Sequence, residues 1–280
     1  MRPLAEFVMK GRFQATAVAA LGIATLMFAW VGAAAAALVT LRKGTTEGIY
    51  VVFWALLPAI AVAKFAQDVG PLCMLLVSAG AAIVLRNTRS WPLALVFSVF
   101  GGMCTALFLQ QFAQDYLATI LATVQPMLDQ LRSQSAGRLP QILTGDIAAV
   151  IGSSTVLWSV LALMLARWWQ SLLYNPGGFR TEMWSMRLPA VATVVLVAVM
   201  LLIGRMGEEF RFWGVMCLLP FLAAGLSLIH GVVGRFGLGR VWLVVFYIAL
   251  LLLGPLWGLL ILAAIVDSWI DIRRRLSKTA

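Results

Sequence analysis

The stretch FQATAVAALGIATLMFAWVGAAAAALVTL, Phe13 to Leu41, decides the fold class. It carries no charged side chain, and it exceeds the ~20 apolar residues that cross a ~30 Å hydrocarbon core. Arg2, Lys10 and Arg12 precede it, and Ala33 to Ala37 could mimic the small-residue cleavage region of a signal peptide. A signal-peptide core, however, spans only roughly 7–15 residues. A retained first helix is therefore expected, long enough to tilt strongly or to break near Gly32.

The rest of the chain extends this reading. Hydrophobic residues make up 62% of its 280 residues and charged residues 11%, and the mean hydropathy is +0.96, well outside soluble usage. Cutting at charges and turn residues leaves runs at 14–41, 49–63, 70–85, 91–112, 147–166, 188–204, 212–233 and 241–266. Short connections between them argue for one integral membrane domain over 1–280: an all-α polytopic transmembrane bundle of roughly eight spans. The runs 49–63 and 70–85 are short and flank KFAQDVGP, with Lys64, Asp68, Gly70 and Pro71. They read either as a tight hairpin or as half-spanning pieces lining a cavity. In the connection 113–146, Leu117, Ile120, Leu121, Val124, Met127, Leu128 and Leu131 recur at helical spacing. An amphipathic helix broken near Pro126 is expected there, lying on the membrane surface or capping a cavity.

The net charge of +10, from 21 Lys and Arg against 11 Asp and Glu, sits mainly at the edges of apolar runs. That placement suits lipid headgroups and topology control, and excludes nucleic acid as a partner. With eight spans, twelve basic residues fall on the side of the termini and nine on the other, which favours cytoplasmic termini. Arg273, Arg274, Arg275 and Lys278 follow the last run as a stop signal.

No catalytic constellation emerges. Cys73, Cys104 and Cys217 lie in apolar runs without metal-ligand spacing, and GVVGRFGLGR, Gly231 to Arg240, lacks the strand and Lys of a phosphate loop. In RMGEEFRF, Glu208 and Glu209 are expected to pair locally with Arg205 and Arg211. Asp267 and Asp271, one turn apart, are expected to pair with the arginines that follow. Ala33 with Ala37, and Gly254 with Gly258, have the small-xxx-small spacing of helix packing. No enzyme activity, metal or cofactor is expected.

The segment Arg167 to Pro189 interrupts the apolar pattern with an aromatic helix end and an Asn-Pro-Gly-Gly turn. WWQSLLYNPGGF (Trp168 to Phe179), LLPFLAAGLSLIHG (Leu218 to Gly231) and VDSWIDIRRR (Val266 to Arg275) resemble the YybS-like family of bacterial inner-membrane proteins, which has no settled biochemical activity. That family is distantly similar to the S-components of energy-coupling-factor transporters. The similarity implies a helical bundle with a small-molecule pocket near one membrane face, working with an energising membrane protein. This chain departs in its eight runs, where S-components typically have six, and matches no substrate motif. Two functions follow. In one, Trp168, Trp169, Tyr174, Asn175, Arg180 and Glu182, with His230, would bind a small solute. In the other, the chain is a structural or assembly partner of other membrane proteins, without a ligand.

Overall fold

The computed structural model describes residues 1–134 and 140–276; Arg138 and Lys278 lie outside these. The described residues form helices α1 (Arg2–Lys10), α2 (Arg12–Ala24), α3 (Ala29–Lys43), α4 (Thr45–Phe65), α5 (Gly70–Thr88), α6 (Trp91–Phe112), α7 (Gln114–Gln134), α8 (Thr144–Tyr174), α9 (Gly178–Ser185), α10 (Ala190–Ile203), α11 (Val215–Arg235), α12 (Arg240–Leu252), α13 (Pro255–Ile270) and α14 (Ile272–Leu276), with a single 3₁₀ turn at Glu208–Phe210.

The opening stretch is not one helix. It breaks at 25–28, where Leu26 is left-handed (φ 52°), and α2 and α3 fold back on each other. At 1.5 Å per residue they are about 20 and 22 Å long, short of the hydrocarbon thickness. Glycine permits the crossing: a Cβ on Gly22 would lie 2.7 Å from the Gly32 Cα, and one on Gly32 would lie 2.6 Å from the Ala19 carbonyl. Ala33 to Ala37 are at 0% exposure, so α3 is the central helix rather than a lipid-facing one. Its small side chains let α2, α4, α5 and α8 pack around it.

The short runs after it prove to be a hairpin of two full-length helices, α4 and α5, turning at Asp68, whose carboxylate accepts the Gly70 N–H at 2.8 Å. Ser90 caps α6, accepting from the Leu93 N–H at 3.4 Å. α6 then crosses α8 where a Cβ on Gly152 would lie 2.7 Å from the Gly102 carbonyl. Helix α7 runs without a break through Pro126, against expectation, and buries only Leu117. Helix α8 has 31 residues, about 46 Å, so its last turns project beyond a ~30 Å core. The two tryptophans of the Arg167–Tyr174 stretch therefore belong to α8 itself.

The contacts sort the loops into two ends. At one end Arg12 pairs with Glu47 (2.5 Å), Arg86 reaches the Leu41 carbonyl, Arg167 pairs with Glu182, Arg187 lies 3.3 Å from Asp271 and Arg235 reaches the Arg273 carbonyl. At the other, Arg211 pairs with Asp146 (2.5 Å) and Glu209 accepts the Gly145 N–H (3.0 Å). Arg211 thus bridges to α8 instead of pairing within RMGEEFRF. Helices α4, α5, α6, α8, α10 and α11 run between the two ends. Hairpin α2–α3 begins and finishes at the first end, and so does the pair α12–α13, bent by 119°. By length and composition five helices can cross a membrane, seven if each of the two bent pairs is one span.

The second hairpin is differently held. Helix α13 packs on α11, where a Cβ on Gly225 would lie 2.7 Å from the Leu260 Cγ, whereas Cβ atoms on Gly254 and Gly258 would meet nothing within 4 Å. Of α12 only Leu250 is buried.

This arrangement overturns the sequence-based charge tally. Of the basic residues described, only Lys64, Arg132, Arg205 and Arg211 lie at the second end, and the remaining fifteen crowd the first. With Glu6, Glu47, Glu182, Asp267 and Asp271 counted against them, the first end carries a formal charge of +10 and the second −2.

Candidate functional site: a cationic cavity at the basic end

The projecting turns of α8 carry Arg167 and Gln170 into the basic end. The Asn-Pro-Gly-Gly turn then reverses the chain, with Gly177 at φ 87°, a conformation that favours glycine. Ser171 fixes the reversal: its hydroxyl donates to the Asn175 carbonyl (2.7 Å) and accepts the Phe179 N–H (2.9 Å). As a result α9 brings Glu182 back onto Arg167, which donates to it through Nε (2.9 Å) and Nη2. The Trp91 indole donates to the same carboxylate at 3.3 Å. Burial alone would raise the Glu182 carboxyl, but the Arg167 fork, its charge and the indole outweigh burial and hold it below the usual carboxylate range.

Two further guanidiniums are locked in place. Arg86 Nη1 donates to the Leu41 (2.6 Å) and Thr40 (3.3 Å) carbonyls, placing a cation on the negative C-terminal end of α3. Gln170 Nε2 donates to the same Leu41 carbonyl at 3.3 Å. Arg187 is held by Asp271 and by the Asp267 carbonyl, each at 3.3 Å. Arg89 differs: it sits in a left-handed conformation (φ 54°) and is exposed, and while its backbone N–H donates to the Leu85 carbonyl at 2.8 Å, its guanidinium has no hydrogen-bond or ion-pair partner among the described residues.

Arg86, Arg89, Arg167 and Arg187 line one cavity of about 910 Å³ together with Trp91, Gln170, Glu182 and Ser185. Its one carboxylate is already engaged, so the surplus is cationic and suits a small anion. A second recess of about 220 Å³ lies on the far side of the Arg167–Glu182 pair, lined in part by Arg42, Tyr174 and Asn175. There the Arg42 guanidinium stacks 4.0 Å from the Tyr174 ring centroid. Among the described residues no group of His, Cys, Asp and Glu is placed to hold a metal ion.

Of the residues singled out from sequence, Glu182 lines both spaces, and Tyr174 and Asn175 line the smaller one. The others lie elsewhere. Trp169 is fully buried in the core, while Trp168 on the same helix is partly exposed. Arg180 stacks 4.1 Å over Trp184, and His230 hydrogen-bonds Tyr247 at 2.8 Å between α11 and α12. Sequence reasoning missed Arg86, Arg89, Trp91, Gln170 and Arg187 as one site. The signal for three of them was their shared face in the charge tally.

No family model matches the chain, and neither does a curated protein or a solved structure.

Proposed function

We propose that this chain is a non-catalytic integral membrane component that binds a small anionic solute at its basic end. The observation that carries the reading is the cavity of about 910 Å³ with four guanidiniums, one of them without a partner. Its volume falls in the ~300–1,000 Å³ range of ligand pockets. The resemblance to YybS-like proteins and S-components supports a role beside an energising partner. The apolar helices fit six crossings, α4, α5, α6, α8, α10 and α11, with α2–α3 and α12–α13 as re-entrant hairpins. Under the positive-inside rule, the basic end then faces the cytoplasm of a bacterium, with both termini there.

Binding is tested by thermal unfolding of the detergent-purified protein with inorganic phosphate, phosphorylated metabolites and dicarboxylates. A ligand at 100 times its Kd stabilises by roughly 2.7 kcal/mol. That shift should vanish in Arg89→Ala, whose side chain holds nothing else together, and persist in Arg180→Ala. A panel with no stabilising anion, or a shift unchanged in Arg89→Ala, refutes the site. Topology is tested on a chain whose three native cysteines are replaced. A membrane-impermeant maleimide should label Met206→Cys in spheroplasts, and Gly239→Cys only after permeabilisation.

The assembly-partner reading draws on one feature, the outward surface of α12, where Val241, Trp242 and Val244 are exposed. Lipid covers such a surface equally well, so solute binding is the stronger conclusion.

A further inference from the structure

The second end holds a cavity of opposite character. It measures about 530 Å³ and lies between the tip of the α2–α3 hairpin, the Asp68 turn, the first turn of α7 and the middle of α8. Trp30, Trp158 and Tyr116 supply aromatic walls, and Met27 and Met74 add polarizable thioethers. The two indoles converge, with ring centroids 6.3 Å apart and planes tilted by 40°. Asp68 also lines the space. One of its oxygens accepts the Gly70 N–H at 2.8 Å, and the other has no partner among the described residues. Lys64, one turn earlier, forms no ion pair with it.

A carboxylate at the mouth of an aromatic-walled cavity has a definite preference. An inorganic cation would need several oxygen ligands, and Asp68 is the only carboxylate among the described residues that line the cavity. A neutral apolar molecule filling the cavity would strip water from the carboxylate and put nothing in its place. An organic ammonium satisfies both features: its charge meets Asp68, and its N-alkyl groups meet the ring faces through cation–π attraction. We infer that this cavity binds an alkylated ammonium cation, independently of the anion site at the other end. The re-entrant hairpin gives the cavity one wall, so its Met27–Trp30 tip is part of a binding site as well as a packing element.

An ammonium group can come from a free solute or from an amine-bearing lipid headgroup, and the experiment separates them. Choline is titrated calorimetrically into the full chain in detergent, beside the uncharged isostere in which carbon replaces nitrogen. Saturable choline binding is expected, with the isostere bound at least about tenfold more weakly. Asp68→Asn keeps the acceptor for the Gly70 N–H while removing the charge, and Trp158→Leu removes one wall at a partly exposed position; each should weaken choline about tenfold. The titration is repeated in nanodiscs of ethanolamine-headgroup lipid and in nanodiscs of anionic lipid without amines. Loss of choline binding in the first alone identifies the headgroup as occupant, and equal binding in both identifies a free solute. Absence of saturable binding in both detergent and amine-free nanodiscs overturns the inference. So does equal affinity for choline and its isostere, or wild-type affinity in both variants.

Discussion

The two hairpins that begin and end at the basic end are built from similar materials and held in different ways. In α2–α3 one arm, α3, lies inside the bundle, the other buries Ala15, Ala19 and Ile23 and exposes its opposite face, and Gly22 and Gly32 bring the two backbones within touching distance. In α12–α13 one arm packs on α11, the other is largely exposed, and Gly254 and Gly258 face open space. Ala33 with Ala37 and Gly254 with Gly258 share the same spacing, yet only the first pair is a packing seam. Small residues permit close approach; a neighbouring helix has to be there for the approach to happen.

The second hairpin depends instead on a buried charge. Arg273, 5% exposed, lies 3.7 Å from Asp267 and donates to the Met186 carbonyl at 2.8 Å, tying the end of α13 to the connection before α10. Arg273→Ala should give the largest effect, a loss of about 3–5 kcal/mol, because Asp267 is left buried without its cation. Replacing both, as Asp267→Asn with Arg273→Met, should recover much of that loss in the same denaturation experiment. A mild effect of Arg273→Ala alone would mean that the two hairpins are anchored alike.

Next in size is Gly32→Ala, which forces a methyl group against the Ala19 carbonyl. The expected cost is about 1–3 kcal/mol by overpacking, read as a lowered midpoint of thermal unfolding. Gly258→Ala tests the same chemistry where there is room. It should be neutral or stabilising, by up to about 0.5–1 kcal/mol, since alanine restricts the unfolded chain and favours the helix. Opposite signs at the two sites would sharpen the contrast, and equal costs would abolish it.

The contrast also explains what could be read from sequence. The α4–α5 hairpin was legible because Lys64, Asp68, Gly70 and Pro71 concentrate polar and turn chemistry between apolar runs. Helix α6 fills the run 91–112, opened by Ser90 and Pro92. The α2–α3 fold-back was legible only in part: the length of the run allowed a break near Gly32, but the chain turns earlier, at 25–28. Thr25, Leu26, Met27 and Phe28 contain neither Gly nor Pro, and apolar residues do not reveal whether they will meet lipid or protein. A faint signal was the placement of Gly22 and Gly32 on either side of the break. The consequence reached the site as well, because a re-entrant hairpin returns the chain to the end it left. Counted as crossings, the two hairpins separated Arg2, Arg12 and Arg273 from Arg86, Arg89 and Arg187 and hid one strongly basic end. Trp169 misled for a related reason: a tryptophan pair at a helix end resembles an interfacial belt, but on α8 one ring points into the core.

The smallest predicted effect concerns the ion pair that divides the two spaces at the basic end. The folded protein holds the Glu182 carboxyl below its unfolded value, which for glutamate is about 4.3. A depressed carboxyl contributes stability that is present above the unfolded value and is lost as the pH falls through the folded one. Unfolding midpoints from neutral pH downward should therefore show an acid-sensitive component in the wild type that is reduced in Glu182→Gln. The difference should be modest, because Arg167 and Glu182 are both about 30% exposed (29% and 31%) and solvent screens the pair. Adding an anion that binds the neighbouring cavity extends the test. If Arg167 is shared between Glu182 and the ligand, the stabilising shift should grow in Glu182→Gln, where the guanidinium is released from its carboxylate. If the shift is the same in both proteins, Arg167 serves the turn and the solute is held by Arg86, Arg89 and Arg187.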